Sequence, residues 1–340
     1  MYKKPLILAI ESSCDDTAAA VINGRKILSN CVANQKIHIA YGGVVPELAS
    51  RAHQSKIIPV VQQALQQANI NKKELTAIAY TQGPGLLGSL LVGSAFAKSL
   101  SLALNIPLIP INHIQGHLLV HFIEDERIQI PSFPFLGVIL SGGHTQLVDV
   151  RDHFNMNILG TTLDDAIGEA FDKCGKRMGL PYPSGPQIDK LAEKGNPHKF
   201  IFPISKLSNY NVSYSGVKTA FINFISNNEQ KNPDFIKNNL VDLCASLQYT
   251  LVRIILNKIE LVARDKSLTE IVIGGGVAAN TEIRKQLQDM VMKEDWKLSL
   301  PPLEYTTDNA AMIGITAYYK ILKKEYGSLK DSSNARLKFN

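Results

Sequence analysis

The hydrophobic residues of this chain fall into short continuous runs that are followed by small polar residues. Residues 6–10 are all apolar, residues 11–17 form a polar stretch, and residues 18–22 are apolar again. An apolar run of this length, bounded by turn residues, is typical of a buried strand. The pattern therefore predicts two strands joined by a polar turn at the start of the chain.

The same pattern returns about 130 residues later, a distance too long for a solenoid repeat. Residues 135–140 are apolar, residues 141–145 read Ser-Gly-Gly-His-Thr, and residues 146–150 form the returning strand. Two such hairpins indicate two homologous lobes that arose by duplication of a whole domain.

Further periodic segments predict the elements around the hairpins. Helices are expected over residues 46–67, 87–104, 164–175, 186–194, 217–226, 235–264 and 308–326, and strands over residues 75–81, 108–111 and 270–273. A first lobe is predicted at 1–125, with helix 308–326 packing back on it, and a second at 130–307. The polar, lysine-rich tail after Gly327 is expected to fray.

The composition of the chain is typical of a globular protein rather than of a disulfide-rich or membrane-spanning one. The 340 residues are 45% hydrophobic with a formal net charge of +6, which fits a soluble globular protein and permits a nucleic acid partner without requiring one. The four cysteines are scattered without a C-x2-C pair, which disfavours a disulfide framework or a structural zinc site. The absence of a long apolar leader or a ~20-residue apolar span predicts a cytoplasmic protein with no membrane segment.

His113 and His117 are four residues apart, which places both imidazoles on one face of a helix, where they could hold one metal ion. The residues between them include no glutamate, so the general base of a metalloprotease is missing. The alternative is a pair of partly buried histidines at a helix start.

Carboxylates provide the second chemical signal. Glu11, Asp15 and Asp16 crowd the first polar turn, and such a cluster repels phosphate unless a cation lies between. Asp308 precedes the final helix and fits either a helix N-cap or a third metal ligand. Two imidazoles and one carboxylate would suit iron, zinc or manganese.

Glycine-rich turns provide the third chemical signal. Ser141, Gly142 and Gly143 form one such turn, and Gly274 to Gly276 form another at a strand end. Backbone N–H groups in these turns could approach a nucleotide closely, although each is also compatible with a tight turn that binds nothing.

Motifs spread along nearly the whole chain resemble those of one known family. They lie at residues 10–15 (Ile-Glu-Ser-Ser-Cys-Asp), 43–51 (Gly-Val-Val-Pro-Glu-Leu-Ala-Ser-Arg), 83–86 (Gly-Pro-Gly-Leu), 112–117 (Asn-His-Ile-Gln-Gly-His), 141–145 (Ser-Gly-Gly-His-Thr), 168–173 (Gly-Glu-Ala-Phe-Asp-Lys), 274–280 (Gly-Gly-Gly-Val-Ala-Ala-Asn) and 307–312 (Thr-Asp-Asn-Ala-Ala-Met). The chain resembles the TsaD family of tRNA N6-adenosine threonylcarbamoyltransferases, formerly labelled O-sialoglycoprotein endopeptidases.

The resemblance implies an α/β, actin-like (sugar-kinase-like) fold, with two duplicated ribonuclease-H-like lobes around a nucleotide cleft. It also implies that His113, His117 and Asp308 bind one divalent metal, commonly iron as Fe(2+). The residues implied for the adenylate site are Ile139, Leu140, Ser141, Gly142, Gly143, Asp172, Gly185, Asp189 and Asn280.

The implied reaction moves the threonylcarbamoyl group from threonylcarbamoyl-AMP to N6 of adenosine 37, in tRNAs that read codons beginning with A. The implied partners are tRNA, a TsaB-like paralogue and a TsaE-like ATPase. Adenine N6 is a poor nucleophile, so Glu11 or Asp15 is the hypothetical base. The alternatives are a metal-dependent peptidase, a sugar kinase, or a non-catalytic scaffold subunit of a tRNA-modifying complex.

Overall fold

The computed structural model describes residues 4–205 and 207–338. The chain divides into two compact units, one made of Met1–Pro131 and Pro301–Asn340 and the other of Ser132–Leu300. The first unit is therefore discontinuous in sequence, and its second segment returns after the whole of the other unit.

Unit 1 contains a five-stranded mixed sheet in the order β3-β2-β1-β4-β5. Strands β1, β2 and β3 are antiparallel neighbours, whereas β4 and β5 run parallel to β1. The strands are β1 (Leu6–Glu11), β2 (Thr17–Asn23), β3 (Lys26–Ala33), β4 (Ala77–Gly83) and β5 (Leu108–Asn112).

Both faces of this sheet are covered, which explains the unbroken apolar runs of its central strands. Leu8 and Ile10 pack with Ile57 of the first long helix, while a Cβ built on Gly314 of the last helix would lie beside Ala9 and Ile22. The helices of this unit are α1 (Pro46–Gln67), α2 (Leu87–Leu104), α3 (His113–Leu119) and α9 (Ala310–Leu322), and its short 3₁₀ helices are Lys36–Tyr41, Lys72–Glu74, Val120–Phe122 and Leu303–Tyr305.

Unit 2 repeats the same strand arrangement, in the order β10-β9-β6-β7-β8. Here β6 pairs antiparallel with β7 and parallel with β9, just as β1 pairs with β2 and β4. The strands are β6 (Phe135–Leu140), β7 (Thr145–Val150), β8 (Met156–Thr161), β9 (Glu270–Gly274) and β10 (Lys297–Ser299). The prediction of two homologous hairpin-containing lobes is confirmed by this topology.

The core of unit 2 joins its sheet to helices that follow the hairpin. Leu136 and Val138 of β6 pack in one cluster with Phe171, Phe221 and Leu251. The helices are α4 (Ile167–Arg177), α5 (Gly185–Ala192), α6 (Ser215–Glu229), α7 (Phe235–Lys266) and α8 (Thr281–Glu294), with a 3₁₀ helix at Gly276–Ala279.

Most predicted elements are present, and two predictions about the C-terminal region are wrong. The final helix begins at Ala310 because Asn309 is its N-cap, whose side chain accepts a hydrogen bond from Met312 N, so Asp308 is not the cap. The tail after Gly327 does not fray: Gly327 N donates to Leu108 O at 2.8 Å, and Asn334 N to Gln82 O at 2.9 Å.

Helices α2 and α7 are long and apolar enough to cross a membrane by length and composition alone. In α7, 67% of the relevant window is buried inside the protein, as in the core helix of a globular domain, and in α2 the share is 33%. The absence of a membrane segment stays a prediction.

Candidate metal centre and glycine turn

The two histidines lie on the short helix α3, and the residue before them fixes where that helix begins. Asn112 ends β5, and its Oδ1 accepts hydrogen bonds from Ile114 N at 2.9 Å and from Gln115 N at 3.3 Å. This is the N-cap arrangement, in which a side chain satisfies backbone donors that have no partner within the helix. His113 is therefore the first helical residue, and His117 lies one turn later on the same buried face.

Asp308 completes a compact cluster with the histidines. The two Nε2 atoms of His113 and His117 are 3.2 Å apart, and Asp308 Oδ1 lies 3.5 Å and 3.3 Å from them, respectively. Ligands that bind one ion at about 2.0–2.2 Å lie roughly 3–3.5 Å from one another, so the donor set has the spacing of a metal site. The sequence left Asp308 open between a cap and a ligand, and the structure places its carboxylate at the histidines.

Glu11 lies directly behind this cluster, at the end of β1, and is fully buried. Its Oε2 lies 3.0 Å from His113 Nδ1 and accepts a hydrogen bond from Thr81 Oγ1, and its Oε1 accepts from Ser13 N. A carboxylate that accepts from Nδ1–H leaves the Nε2 lone pair free to bind a metal. Glu11 is thus placed to orient His113.

The charges of this cluster shift the pKa values of both histidines. Burial lowers the pKa of His113, but the carboxylates of Glu11 and Asp308 outweigh it and raise the pKa to about 9. Burial lowers the pKa of His117, despite its contact with Asp308. The two carboxylates thus favour the protonated form of His113, and a divalent cation at these ligands would compete with that proton.

The acidic turn after Glu11 is held from two helices. Cys14 O accepts hydrogen bonds from His53 Nε2 at 2.9 Å and from Ser89 Oγ at 3.0 Å, while His53 Nδ1 contacts Thr17 Oγ1. Asp15 and Asp16 are only half-buried on this turn. The pKa of Asp16 is raised to about 7, first by burial and then by the charges of Asp15 and Asp308.

Several residues of this site were missed at the level of sequence. Thr81, Ser13 and His53 carry no local signal, because their partners lie on other strands and helices. Asn112 could have been found, since an asparagine directly before a short helix is a common N-cap.

The glycine-rich turn of unit 2 joins β6 to β7. Ser141 N donates to His144 O at 2.9 Å, and His144 N donates to Ser141 Oγ at 3.0 Å. A Cβ built on Gly142 or Gly143 would meet no atom within 4 Å. Packing therefore does not demand glycine at either position, and the open space is where a ligand could approach the backbone.

The other residues predicted for the adenylate site have different surroundings. Ile139 and Leu140 are fully buried in β6, so neither residue is exposed to a ligand in this structure. Asp172 Oδ1 accepts from Ser184 N at 2.7 Å, just before Gly185 begins α5, and burial raises the pKa of this carboxyl group.

Two side chains further along connect α5 with the segment after β9. Asp189 accepts from both Thr281 N and Thr281 Oγ1 at 2.9 Å. Asn280 caps α8 by accepting from Ile283 N and donates to Gln248 Oε1. Asp172, Asp189 and Asn280 therefore each hold backbone of unit 2 through side-chain hydrogen bonds.

Comparison with solved structures establishes the fold class. Full-length HypF in its phosphate- and nucleotide-bound form matches with a TM-score of 0.61 at 12% identity, covering 97% of this chain and 48% of that one. ROK hexokinase from Thermus thermophilus matches with a TM-score of 0.50 at 14% identity, covering 94% and 99% of the two chains. The fold and site define an actin-like α/β protein that carries a candidate His–His–Asp metal centre.

Sequence comparison identifies the family. The model of the family described as "TsaD: tRNA N6-adenosine threonylcarbamoyltransferase" matches residues 26–315 of this chain. Proteins of that name from Christiangramia forsetii and Riemerella anatipestifer are 56% and 53% identical over 333 and 338 residues, and each match covers at least 98% of both chains. The chain belongs to the TsaD family, and the predicted family, actin-like fold and acyltransferase class are confirmed.

Proposed function

We propose that this protein transfers the threonylcarbamoyl group from threonylcarbamoyl-AMP to N6 of adenosine 37 in tRNAs that read codons beginning with A. The observation that carries the proposal is the cluster of two buried histidines, His113 and His117, with Asp308, in a chain similar to named transferases along its length. Neither the peptidase nor the scaffold alternative gains support from the names of these relatives.

His113, His117 and Asp308 would hold one divalent cation, with Fe(2+) expected and zinc or manganese as alternatives. When bound, such an ion polarises a carbonyl oxygen as a Lewis acid. Two further residues position the proposed ligands. Asn112 sets the start of helix α3, and Glu11 holds the ring of His113 in one tautomer.

The Gly142–Gly143 turn would hold the phosphate of the adenylate through backbone N–H groups, for which the open space over both glycines is the support. Asp172, Gly185, Asp189 and Asn280 would border the rest of the nucleotide. Three of them already use their side chains to hold backbone, so their part is to keep this border in place.

In the proposed transfer, N6 of adenosine forms a bond to the carbamoyl carbon, the bond from that carbon to the phosphate oxygen breaks, and AMP leaves. N6 also loses a proton, which a base must accept. Glu11 contacts His113 Nδ1 and accepts hydrogen bonds from Thr81 Oγ1 and Ser13 N, so Glu11 fits a positioning role. We assign the base to Asp15, which is half-buried on the adjacent turn.

Transfer also requires partners. tRNA is the proposed acceptor, and a TsaB-like paralogue and a TsaE-like ATPase are the proposed protein partners in the cytoplasm. Large apolar side chains lie exposed on two helices of unit 1, namely Ile58 of α1 and Leu87, Leu91 and Leu102 of α2. Helices α1 and α2 pack on each other, and the exposed apolar side chains on both favour a protein contact on this unit.

The test is the nucleoside content of tRNA from cells depleted of this protein, measured by mass spectrometry. Threonylcarbamoyladenosine should disappear and return with the parent protein or with His198→Ala, an exposed histidine outside the cluster. It should not return with His113→Ala, which should also lose its bound metal. Unchanged nucleoside levels, or a His113→Ala protein with its full metal content, would contradict the proposal.

A further inference from the structure

The C-terminal tail is an ordered part of unit 1, although its composition suggested the opposite. After α9 the chain runs from Gly327 to residue 338 over strands β4 and β5 and helix α2. Gln82 Nε2 donates to Ser332 O at 3.1 Å, and Ser333 Oγ lies 2.9 Å from Ser94 Oγ. Lys98 Nζ also donates to Asp331 O.

One end of the tail supports the loop at residues 83–86, which packs on Ser13, a contact of Asp308. A Cβ on Gly83 would lie 1.9 Å from Asn334 O, and Gly85 N donates to Ala335 O at 3.2 Å. On its other side, Gly85 packs so closely on Ser13 that a Cβ there would lie 2.4 Å from Ser13 O.

Ser13 transmits this support to the metal cluster. Leu86 N donates to Ser13 O at 2.7 Å, which ties the loop to the acidic turn. Ser13 N donates to Glu11 Oε1, and Ser13 Oγ lies 3.5 Å from Asp308 Oδ2. The tail therefore braces, through one glycine loop, the turn that contacts both carboxylates of the cluster.

The other end of the tail reaches the helix that carries the histidines. Asn112 Nδ2 donates to Lys338 O at 3.2 Å, while Oδ1 of the same amide caps α3. The tail thus fixes the orientation of the amide that sets the position of His113. Both arms of the ligand set, the histidine helix and the Asp308 side, rest on residues 332–338.

We infer that residues 332–338 are a positioning segment of the metal centre, which holds the ligands of unit 1 at metal-binding distance. This inference rests on the proposed metal site. Groups that orient metal ligands from behind typically change metal affinity by 10–100-fold when removed. The segment should therefore determine how tightly the ion is held, while the apolar core of unit 1 keeps the fold.

Two variants separate positioning from folding. Removal of residues 328–340 deletes the segment, and Asn112→Ser keeps a capping oxygen for α3 but removes the Nδ2 donor to Lys338 O. Lys330→Ala is the matched control, because this side chain is exposed on the same tail and the substitution keeps the hydrogen bond from Lys330 N to Ser328 Oγ. The probes are Zn²⁺, with affinity measured by chelator competition, and Co²⁺, whose absorption spectrum reports ligand geometry.

We expect Asn112→Ser to weaken Zn²⁺ binding about tenfold and to alter the Co²⁺ spectrum, and the deletion to weaken binding by up to about 100-fold. Lys330→Ala should stay within about twofold of the parent. Circular dichroism checks that each variant is folded; if the deletion unfolds the protein, Asn112→Ser decides.

Zn²⁺ binding within twofold of the parent in folded Asn112→Ser would overturn the inference, and so would a folded deletion variant that loses only tRNA binding. The second result would make the tail an RNA-binding surface. Failure of the proposed metal site is a separate outcome. In that case the parent protein would bind no stoichiometric Zn²⁺, or the His113→Ala variant would bind Zn²⁺ as tightly as the parent.

Discussion

The two units place their predicted functional residues on the same framework but use them in opposite ways. In unit 1 the strand-end residue Glu11 and its partners His113 and Asp308 form a closed network of side chains. In unit 2 the corresponding turn presents bare backbone at Gly142 and Gly143, and nearby carboxylates such as Asp172 bond to backbone N–H groups. A duplicated fold thus carries one candidate site made of side chains and one made of main chain.

This difference determines what each site tolerates. A side-chain site loses its chemistry when one atom is exchanged, because each group has a specific partner. A site made of main-chain N–H groups should tolerate substitution of the side chains around it, but not a larger residue in place of one of its glycines. The following substitutions test that contrast.

Among residues outside the proposed ligand set, the largest effect is expected from Glu11→Gln. Glu11 accepts from His113, Thr81 and Ser13, and an amide in its place would present N–H to at least one of these donors. Zn²⁺ affinity in chelator competition should fall about 10–100-fold. Glu47→Gln, on the exposed start of α1, is the control. A lower kcat with unchanged Zn²⁺ affinity would instead make Glu11 the base.

Gly143→Ala tests the main-chain site. The added methyl group meets no protein atom within 4 Å, so the melting temperature should not fall. If the adenylate phosphate rests on this turn, the KM for threonylcarbamoyl-AMP should rise about tenfold, which corresponds to about 1.4 kcal/mol. Gly168→Ala is the contrasting variant, because its Cβ would lie 2.8 Å from Ser141 O and should lower stability. An unchanged KM for Gly143→Ala would remove this turn from the site.

Asp165→Asn tests whether the ion pairs of Asp165 with Lys173 and Lys218 stabilise the fold of unit 2. Burial raises the pKa of Asp165, but hydrogen bonds from Lys173 and Lys218 outweigh it, so the pKa is lowered. A lowered carboxyl pKa stabilises the folded state above about pH 4, and this contribution is lost as the pH falls through the folded-state value. Asp165→Asn should lower the free energy of unfolding by about 2 kcal/mol at neutral pH.

Urea unfolding at several pH values checks this prediction. The difference between parent and Asp165→Asn should be equal at pH 7 and pH 5 and should shrink below about pH 4. Asp289→Asn, exposed on α8, is the control. A difference that grows on acidification would contradict the assignment.

The smallest expected loss of stability comes from one of two adjacent residues of unit 1. Asn309→Ala removes the N-cap of α9 and should lower the free energy of unfolding by about 1 kcal/mol, measured by thermal denaturation. Asp308→Asn should leave the stability of the metal-free helix nearly unchanged but remove metal binding. The reverse pattern would restore Asp308 as the cap.

Much of the framework follows from local pattern alone. The unbroken apolar strands and their small polar turns predicted both hairpins, and α1 and α2 have the predicted bounds. The outer strands β3 and β8 were missed because polar residues such as Asn30 and Asn157 interrupt their apolar character. β10, with three residues, is too short to carry a periodicity.

The candidate site could be predicted only in part, for the same reason. The spacing of His113 and His117 follows from the helical repeat, so the pair was visible in the sequence. The contact of Glu11 with His113 joins residues 102 positions apart and exists only because β4 lies between β1 and β5. The tail was misjudged because lysine-rich composition describes its side chains, whereas its docking depends mainly on backbone groups.

The interrupted course of unit 1 also has a consequence for protein synthesis. A ribosome makes the chain from its N-terminus, so both histidines emerge early, while Asp308 emerges only after the whole of unit 2. A nascent or prematurely terminated chain therefore carries the imidazole pair without its carboxylate. On the proposed ligand set, a chain that ends within unit 2 has two of the three ligands, and Asp308 can join them only after unit 2 has been made.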